Sequence, residues 1–333
     1  MGSGRKRLQV AAAALALGVS LTACSSEGGK ESEESAATGG GGNVADTPRI
    51  RVAMITHSAP GDTFWDIVQK GAKAAAQKDN AKFLYSNDPD GTRQAQLVET
   101  AINQDVDGIV VTLSKPGAMK SAVEKAIDKG IPVVTINAGE QESKEYGALA
   151  HFGQEESVAG QAAGEQLNKT GAKKSLCVIH EQGHVGLDAR CAGAKETFDG
   201  EMVNVHVNGE NMPDVRSTIQ SRLQADQSID SVLALGAPFA LTAVKAADDA
   251  NSDAQVSTFD LNKDLVAGLK SGDIDFAVDQ QPYLQGYLAV DQIWLHINNG
   301  NVIGGGQTVL TGPQVVTADT VDEISKFTDR GTR

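Results

Sequence analysis

The sequence predicts an α/β protein with two similar lobes, each a doubly wound parallel sheet, facing each other across a cleft. Short apolar runs of strand length alternate with amphipathic segments of helix length from residue 50 to residue 310. Such alternation is typical of parallel sheets that carry helices on both faces. The pattern also repeats, because a shift of 123 residues without a gap lays residues 88–137 over residues 211–260. A weak repeat of this length is most simply explained by two similar lobes.

The N-terminus has the pattern of a bacterial lipoprotein signal peptide, over residues 1–23. Arg5, Lys6 and Arg7 precede an apolar run, residues 8–21, that is short for a membrane span. Leu21-Thr22-Ala23-Cys24 looks like a lipobox, which predicts lipidation of Cys24 and anchoring at the outer face of the cytoplasmic membrane. A plain signal peptide or an uncleaved anchor is the alternative. Residues 24–47 are rich in Gly, Ser and Glu and are expected to form a flexible tether.

The remaining chain is acidic. Removal of residues 1–23 changes the formal charge from 29 − 43 = −14 to 26 − 43 = −17. This charge argues against nucleic acid as a partner and against a membrane contact other than the lipid anchor. With Cys24 lipidated, Cys177 and Cys191 remain, and outside the cytoplasm they are expected to form a disulfide.

The first strand-helix unit is the most informative stretch. A buried strand is predicted at residues 50–55, followed by a loop, residues 56–62, and a helix that begins with Phe64-Trp65. The loop lacks the Gly-rich pattern of a phosphate cradle. Because the whole chain has 14 aromatic residues, an adjacent pair at this edge of a sheet predicts a stacking platform for a ligand. For Trp65 the alternative is an anchor in the core.

The rest of the chain continues this alternation. Further strands are predicted at residues 82–86, 108–112, 132–136, 148–152, 175–180, 202–207, 231–235, 255–259, 275–278 and 308–310. Further helices are predicted at residues 92–104, 117–129, 155–168, 186–198, 214–224, 238–250, 263–269 and 282–298.

The repeat brings two polar residues into equivalent positions. Asn137 and Asp260 each follow the carboxyl end of a predicted strand, at the same place in the two halves. We expect them to face each other across the cleft. The alternative is that Asp260 only caps the next helix.

His180-Glu181-Gln182-Gly183-His184 matches H-E-x-x-H, the zinc metallopeptidase signature. That chemistry requires both histidines on one face of a helix, whereas here the motif begins at the end of a predicted strand and contains a glycine. A chance match in a loop is the better interpretation. The loop still makes His180 and its neighbours candidates for the cleft, as does the amide-rich segment at residues 279–287.

Several segments resemble the type I periplasmic-binding-protein family, in the branch that binds ribose, galactose and related monosaccharides. They are THSAPGDTFW, the unit from GIVVTLSKPGA to IPVVTINAG, STFDLN and AVDQQPYLQG. The resemblance implies a three-stranded hinge between the lobes, with crossings near residues 151, 281 and 312. It therefore predicts an N-terminal lobe of residues 48–151 plus 282–311 and a C-terminal lobe of residues 152–281 plus 312–333.

The resemblance also implies a function and a site. Proteins of this branch are not enzymes but receptors that deliver a sugar to the permease of an ABC importer; we expect a monomer with no cofactor and no metal. The carried-over ligand-binding positions are Phe64, Trp65, Asn137, Arg190, Asp260 and Gln280. Ala138 and Gly236 stand where the ribose type has Arg and Asn, which disfavours ribose, so that His57, Asp62, His180 and Glu181 are candidates for replacement hydrogen bonds. A cyclitol or a furanosyl signalling molecule is the alternative ligand.

Overall fold

The computed structural model describes residues 44–59 and 62–333. The predicted signal peptide, Cys24 and most of the tether lie outside these residues. Two sheets of six strands organise the described chain. In the part that the structure describes, no helix has the length and apolarity needed to cross a membrane.

The first sheet contains β1 (Arg51–Thr56), β2 (Lys82–Asn87), β3 (Gly108–Thr112), β4 (Val133–Asn137), β5 (His151–Gly153) and β11 (Val309–Leu310). Their order is β11-β5-β4-β3-β1-β2, and all neighbours are parallel. The second sheet contains β6 (Lys174–Ile179), β7 (Glu201–His206), β8 (Ser231–Ala234), β9 (Gln255–Phe259), β10 (Phe276–Asp279) and β12 (Gln314–Thr317). Its order, β12-β10-β9-β8-β6-β7, repeats that of the first, except that β12 is antiparallel to β10.

Helices cover both faces of each sheet. The first lobe, as we call the first sheet and its helices, carries α1 (Thr63–Lys78), α2 (Gly91–Asn103), α3 (Pro116–Asp128), α4 (Glu140–Glu145) and α10 (Pro282–Asn299). The second lobe carries α5 (Glu156–Thr170), α6 (Val185–Thr197), α7 (Met212–Ala225), α8 (Ala237–Ala250), α9 (Lys263–Ser271) and α11 (Val321–Asp329). Each sheet has a buried apolar cluster on either face. The predicted doubly wound, two-lobed α/β fold is therefore confirmed.

The chain passes between the sheets three times: after β5, between β10 and α10, and between β11 and β12. Four short elements were not predicted: α4, β12, α11 and a 3₁₀ helix, Ile303–Gly306. Helix α4, with the sequence EQESKE, has no apolar residue to give a helical period. Strand β12 is a four-residue edge strand, which is too short to show alternation.

Candidate functional site

A cleft lies between the two lobes, at the carboxyl ends of β1, β4, β6, β8, β9 and β10. It contains about 470 Å³ of space not filled by protein atoms, part of it open to solvent. Nine of the predicted site residues line it: His57, Asp62, Phe64, Trp65, Asn137, His180, Arg190, Asp260 and Gln280. The tenth, Glu181, lies at the outer mouth. Leu187 and Phe239 line the same cleft and were not among the predicted site residues.

The first lobe supplies an aromatic wall. Asp62 accepts a hydrogen bond from the Phe64 N–H (3.0 Å) and thereby caps α1 where it meets the cleft. The rings of Phe64 and Trp65 meet edge to face with centroids 4.9 Å apart. Both side chains are buried, and both also belong to an apolar cluster of the first lobe. Trp65 therefore combines the two roles that the sequence left as alternatives, a wall of the cleft and an anchor in the core.

A chain of amide hydrogen bonds joins the two lobes at the back of the cleft. Asn137 Nδ2 donates to Gln280 Oε1 (3.0 Å), and Gln280 Nε2 donates to Asp260 Oδ1 (2.8 Å). Asn137 and Asp260 share a left-handed backbone conformation, with φ of 64° and 65°. Such values are uncommon outside glycine and are tolerated best by Asn and Asp. The structure thus brings the two repeat-equivalent residues to one place, within one hydrogen-bond chain.

Asp260 differs electrostatically from Asn137. Burial in the closed cleft raises the pKa of Asp260 to about 7, against the opposing effects of Arg190 and of the Gln280 hydrogen bond. A carboxyl group with this pKa is partly protonated near neutral pH. It can therefore accept a hydrogen bond from a ligand hydroxyl or donate one to it.

Arg190 is the cation of the cleft, and its charge is compensated within the second lobe. Its Nε and Nη2 atoms donate to the two carboxylate oxygens of Glu156, at 2.5 and 2.8 Å. The guanidinium also lies 4.7 Å from the centroid of the Phe259 ring. A side chain at Gly160 or Gly193 would collide with the facing backbone, so these glycines let α5 and α6 approach closely enough for the ion pair. Arg190 has five N–H donors in all, so donors remain for a ligand.

The two histidines of the H-E-x-x-H match have separate roles. His180 stacks on Phe239, with centroids 3.9 Å apart. His184 precedes α6 and caps it, since its Nδ1 accepts hydrogen bonds from the N–H groups of Gly186 (3.1 Å) and Leu187 (3.2 Å). Residues 180–184 form a loop, so the helical geometry of a metallopeptidase signature is missing there.

His57 and Glu181, both candidates for ligand hydrogen bonds, also bond to protein groups. The two ring nitrogens of His57 bond to Thr112 Oγ1 (2.8 Å) and His184 Nε2 (3.1 Å). Glu181 forms an ion pair with Lys115 of the first lobe at 3.0 Å. These contacts between the lobes could not be predicted from the sequence.

Ligand atoms of His57, Glu181 and His184 lie within 4.8 Å of one another, a spacing that a metal ion could fit. The hydrogen bonds argue against one. His184 Nδ1 accepts from two backbone N–H groups, so the proton of the neutral ring is on Nε2, the atom that would have to bind the metal. Metal-bound histidines normally donate, rather than accept, through their other nitrogen.

The predicted disulfide is present. Cys177 on β6 and Cys191 on α6 are joined, with Cα atoms 5.9 Å apart. Because Cys191 follows Arg190, the bond ties the helix that carries the cation directly to the second sheet.

Glu156 was not predicted as a site residue, and His184 was predicted only as a candidate for the cleft. Glu156 orients Arg190, and His184 caps α6 next to the cleft. The contacts of Glu156 with Arg190 and of His184 with His57 gave no usable signal, because the partners are 34 and 127 residues apart in the sequence.

Comparison with known proteins identifies the same kind of fold. Residues 52–301 match the family described as periplasmic binding protein domain. A carbohydrate transporter from Acidothermus cellulolyticus 11B, crystallised in complex with myo-inositol, is 51% identical with a TM-score of 0.85, over 86% of this chain and 100% of that one. A solute-binding protein from Burkholderia graminis C4D1M, in complex with D-arabinose, is 27% identical (TM-score 0.73; 81% and 96% covered). The ribose import binding protein of Bacillus subtilis is 29% identical over 71% of this chain and 78% of its own.

Proposed function

Because the chain belongs to the periplasmic binding protein domain family, we propose that it is the solute receptor of an ABC importer and that it binds a neutral cyclitol such as myo-inositol. The observation that carries the proposal is the cleft in which aromatic side chains of one lobe meet a compensated set of polar groups of the other. The relative crystallised with myo-inositol supports the choice of ligand, since it is 51% identical to this chain.

The electrostatics of the cleft fit an uncharged ligand. Arg190 is paired with Glu156, and Asp260 has a pKa of about 7, so these three side chains together carry little net charge near neutral pH. A phosphorylated or carboxylated sugar would bring an anion without a free cation to meet it. Hydroxyl groups, in contrast, can donate to Asp260 and accept from Arg190, while C–H faces pack on Phe64 and Trp65.

Ribose is disfavoured by the space beside Gly236. A Cβ atom there would lie 3.2 Å from Phe239 and 3.7 Å from His180, so a side chain could enter only if this stacked pair moved. The aromatic pair thus fills the position at which the ribose type has an amide. A monosaccharide remains the second candidate, since relatives crystallised with D-arabinose or named for ribose share the fold.

The extracytoplasmic location and the mode of anchoring complete the proposal. We infer lipidation at Cys24, a tether over residues 24–47 and delivery of the ligand to a membrane permease by a monomeric receptor. The support is the lipobox pattern in the sequence and the receptor family of the folded part. Globomycin treatment of cells expressing the full chain should block maturation at Cys24, and unchanged processing would contradict lipidation.

A thermal-shift panel tests the ligand. At 100 times its dissociation constant, myo-inositol should add about 2.7 kcal/mol to the free energy of unfolding. Other cyclitols, xylitol, ribose, arabinose, xylose and galactose serve as comparisons. A larger shift with an aldose would favour the second candidate, and no shift with any of them would contradict the whole ligand class.

Trp65→Ala tests the aromatic wall. Because Trp65 lies in both the cleft and the core, we expect a loss of about 3–5 kcal/mol in unfolding free energy, as for other large-to-small core changes. Isothermal titration at a temperature where the variant is folded should show at least a tenfold loss of affinity. Trp294→Ala, which removes the other tryptophan of the first lobe, is the control that should leave affinity unchanged.

A further inference from the structure

One rim of the cleft is closed by direct bonds between the lobes. The Val185 N–H donates to Ser114 O (3.0 Å), Lys115 pairs with Glu181 (3.0 Å), and His57 Nε2 lies 3.1 Å from His184 Nε2. Ser114, Lys115 and His57 belong to the first lobe, and their partners belong to the second lobe, in the loop before α6 and at its first residue. These bonds exist only in the closed arrangement of the lobes.

The hydrogen bonds determine where the protons of the two histidines lie. His184 Nδ1 accepts from two backbone N–H groups, so its proton is on Nε2 and points at His57. His57 Nε2 must then accept, which leaves its own proton on Nδ1, directed at Thr112 Oγ1. Gln94, fully buried, and the backbone N–H of His57 also donate to the Thr112 oxygen, at 2.9 and 3.1 Å, and help to hold it in place. With the protons in these positions both rings are neutral, and every ring nitrogen has a partner.

We propose that His57 and His184 are positioning residues that latch the lobes in the closed state only while both rings are neutral, so that acid favours opening. The latch itself does not depend on the identity of the ligand. Its effect on affinity rests on the function proposed above.

A second proton on either ring breaks this arrangement. On His184 it would occupy Nδ1 and face the N–H groups of Gly186 and Leu187, which removes the cap of α6. On His57 it would occupy Nε2 and face the Nε2–H of His184. Two N–H groups opposed at this distance repel each other instead of bonding.

The surroundings of the pair oppose protonation. Burial, then Lys115 and Arg190, lower the pKa of His57 to about 3. Burial, then His57, Arg190 and His180, lower the pKa of His184 well below its ordinary value. The acidic groups nearby are Glu181, which is paired with Lys115; Glu156, which is paired with Arg190; and Asp62 beside α1. In an open protein both imidazoles face water, where the ordinary pKa is about 6.5.

The pKa values of the two histidines determine the direction in which pH changes the closed fraction. Below about pH 6.5 the open state binds protons that the closed state does not, so the closed fraction falls as the pH falls. Consider one histidine whose pKa is about 6.5 in the open state and about 3 in the closed state, as for His57. At pH 5 its protonation lowers the ratio of closed to open molecules by about 30-fold.

Two acidic groups in the cleft act in the opposite direction. Closure raises the pKa of Asp260 to about 7 and that of Asp62 to about 6, so these carboxyl groups take up protons on closing. The pH profile of the wild-type protein is therefore a sum of opposed contributions. Only its difference from a variant without the latch isolates the histidines.

His184→Asn is the matched variant. Asn is among the best capping residues, so α6 keeps its cap, while the shorter side chain does not reach His57. His184 does not line the cleft, so the variant leaves the ligand groups in place. His57→Gln, which removes the other half of the latch, is the second variant and serves if the first does not fold.

Two measurements on the wild-type protein and the variants, from pH 8 to pH 5, test the proposal. The first is the distance between nitroxide labels on cysteines introduced at exposed Gln96 of α2 and Ser217 of α7, without ligand. The second is the dissociation constant for myo-inositol. We expect the ratio of closed to open molecules, and with it the affinity, to decrease more between pH 8 and pH 5 in the wild-type protein than in His184→Asn, by up to about 30-fold for the one histidine removed.

Wild-type and variant profiles that superimpose in the label measurement would overturn the latch. If myo-inositol does not bind at any pH, the proposed ligand is wrong, while the label distances still decide the latch. A latch seen by the labels but absent from the binding curves would contradict its influence on affinity.

Discussion

The two lobes share a strand order but build different walls of the cleft. The first lobe contributes Phe64, Trp65 and the neutral amide of Asn137, whereas the second contributes Arg190 and Asp260. Asn137 and Asp260 are the sharpest comparison, because they have the same left-handed backbone at equivalent strand ends. The repeated backbone therefore decides where a polar side chain enters the cleft, and the side chain itself decides what that position does.

The walls are also held in place by different forces. Helix α1 is held by apolar burial, since Phe64 and Trp65 are part of the core of the first lobe. Helix α6 is held by a disulfide, by a buried ion pair and by the His184 cap. Of the three cysteines of the sequence, Cys24 precedes the described residues and the other two lie in the second lobe, so the first lobe has no equivalent covalent link. The charged wall of the second lobe is thus held in place by specific bonds, whereas the aromatic wall of the first lobe is held by apolar packing.

Removal of Glu156 should have the largest effect on the charged wall. Glu156→Ala leaves the buried guanidinium of Arg190 without its partner, which typically costs about 3–5 kcal/mol in the free energy of unfolding. Urea unfolding with circular dichroism detection measures this loss. Glu155→Ala, at the exposed neighbouring position, is the matched control and should be nearly neutral. A Glu156→Ala loss below about 1 kcal/mol would mean that water already compensates the pair.

Reduction of the disulfide should have the next largest effect. A loop of about 15 residues stabilises the folded state by about 3 kcal/mol in the chain-entropy model. We expect the urea midpoint of the reduced protein to be lower than that of the oxidised one. The double variant Cys177→Ala/Cys191→Ala controls for reductant effects, and its midpoint should not depend on dithiothreitol. Two free thiols in the denatured, unreduced protein would show that the pair is not oxidised at all.

Asp260→Asn makes the equivalent residues of the two lobes alike. The change keeps one acceptor oxygen but removes the charge, so affinity for myo-inositol should fall by about 1.5–3 kcal/mol, the usual contribution of a charge-assisted hydrogen bond. Isothermal titration measures the loss. Asn137→Asp, the reciprocal change, should not restore affinity in the double variant, because Arg190 is on the other wall. Restored binding would show that the two positions are interchangeable.

The same variant has a smaller effect on the pH dependence of stability. At low pH the Asp260 carboxyl is protonated in both the folded and the unfolded protein. Its ordinary pKa is near 3.8 and its pKa in the folded protein is about 7, so between these two pH values it ionises only in the unfolded chain. The free energy of unfolding of the wild-type protein without ligand therefore falls across this window, and Asp260→Asn should remove that fall. Parallel stability profiles of the two proteins between pH 4 and pH 8 would contradict the raised pKa.

The sequence predicted both lobes because the alternation of strands and helices and the internal repeat can be read directly from the order of the residues. It failed for α4 and β12, which are too short to show a period. At the site, the resemblance located Phe64, Trp65, Arg190 and Gln280 from short motifs, and the repeat located Asn137 and Asp260. All of these line one cleft in the structure, although their part in binding stays a prediction until a ligand is measured.

The sequence by itself determined the strand and helix order, the matching of Asn137 with Asp260 and the pairing of the two cysteines that follow the signal region. The tertiary structure alone decided that His57 bonds to His184 and Glu181 to Lys115. It also decided that Glu156 compensates Arg190. The physical reason is that strand and helix patterns depend on neighbours along the chain, whereas the partner of a polar side chain depends on which distant surface the folded lobes bring against it.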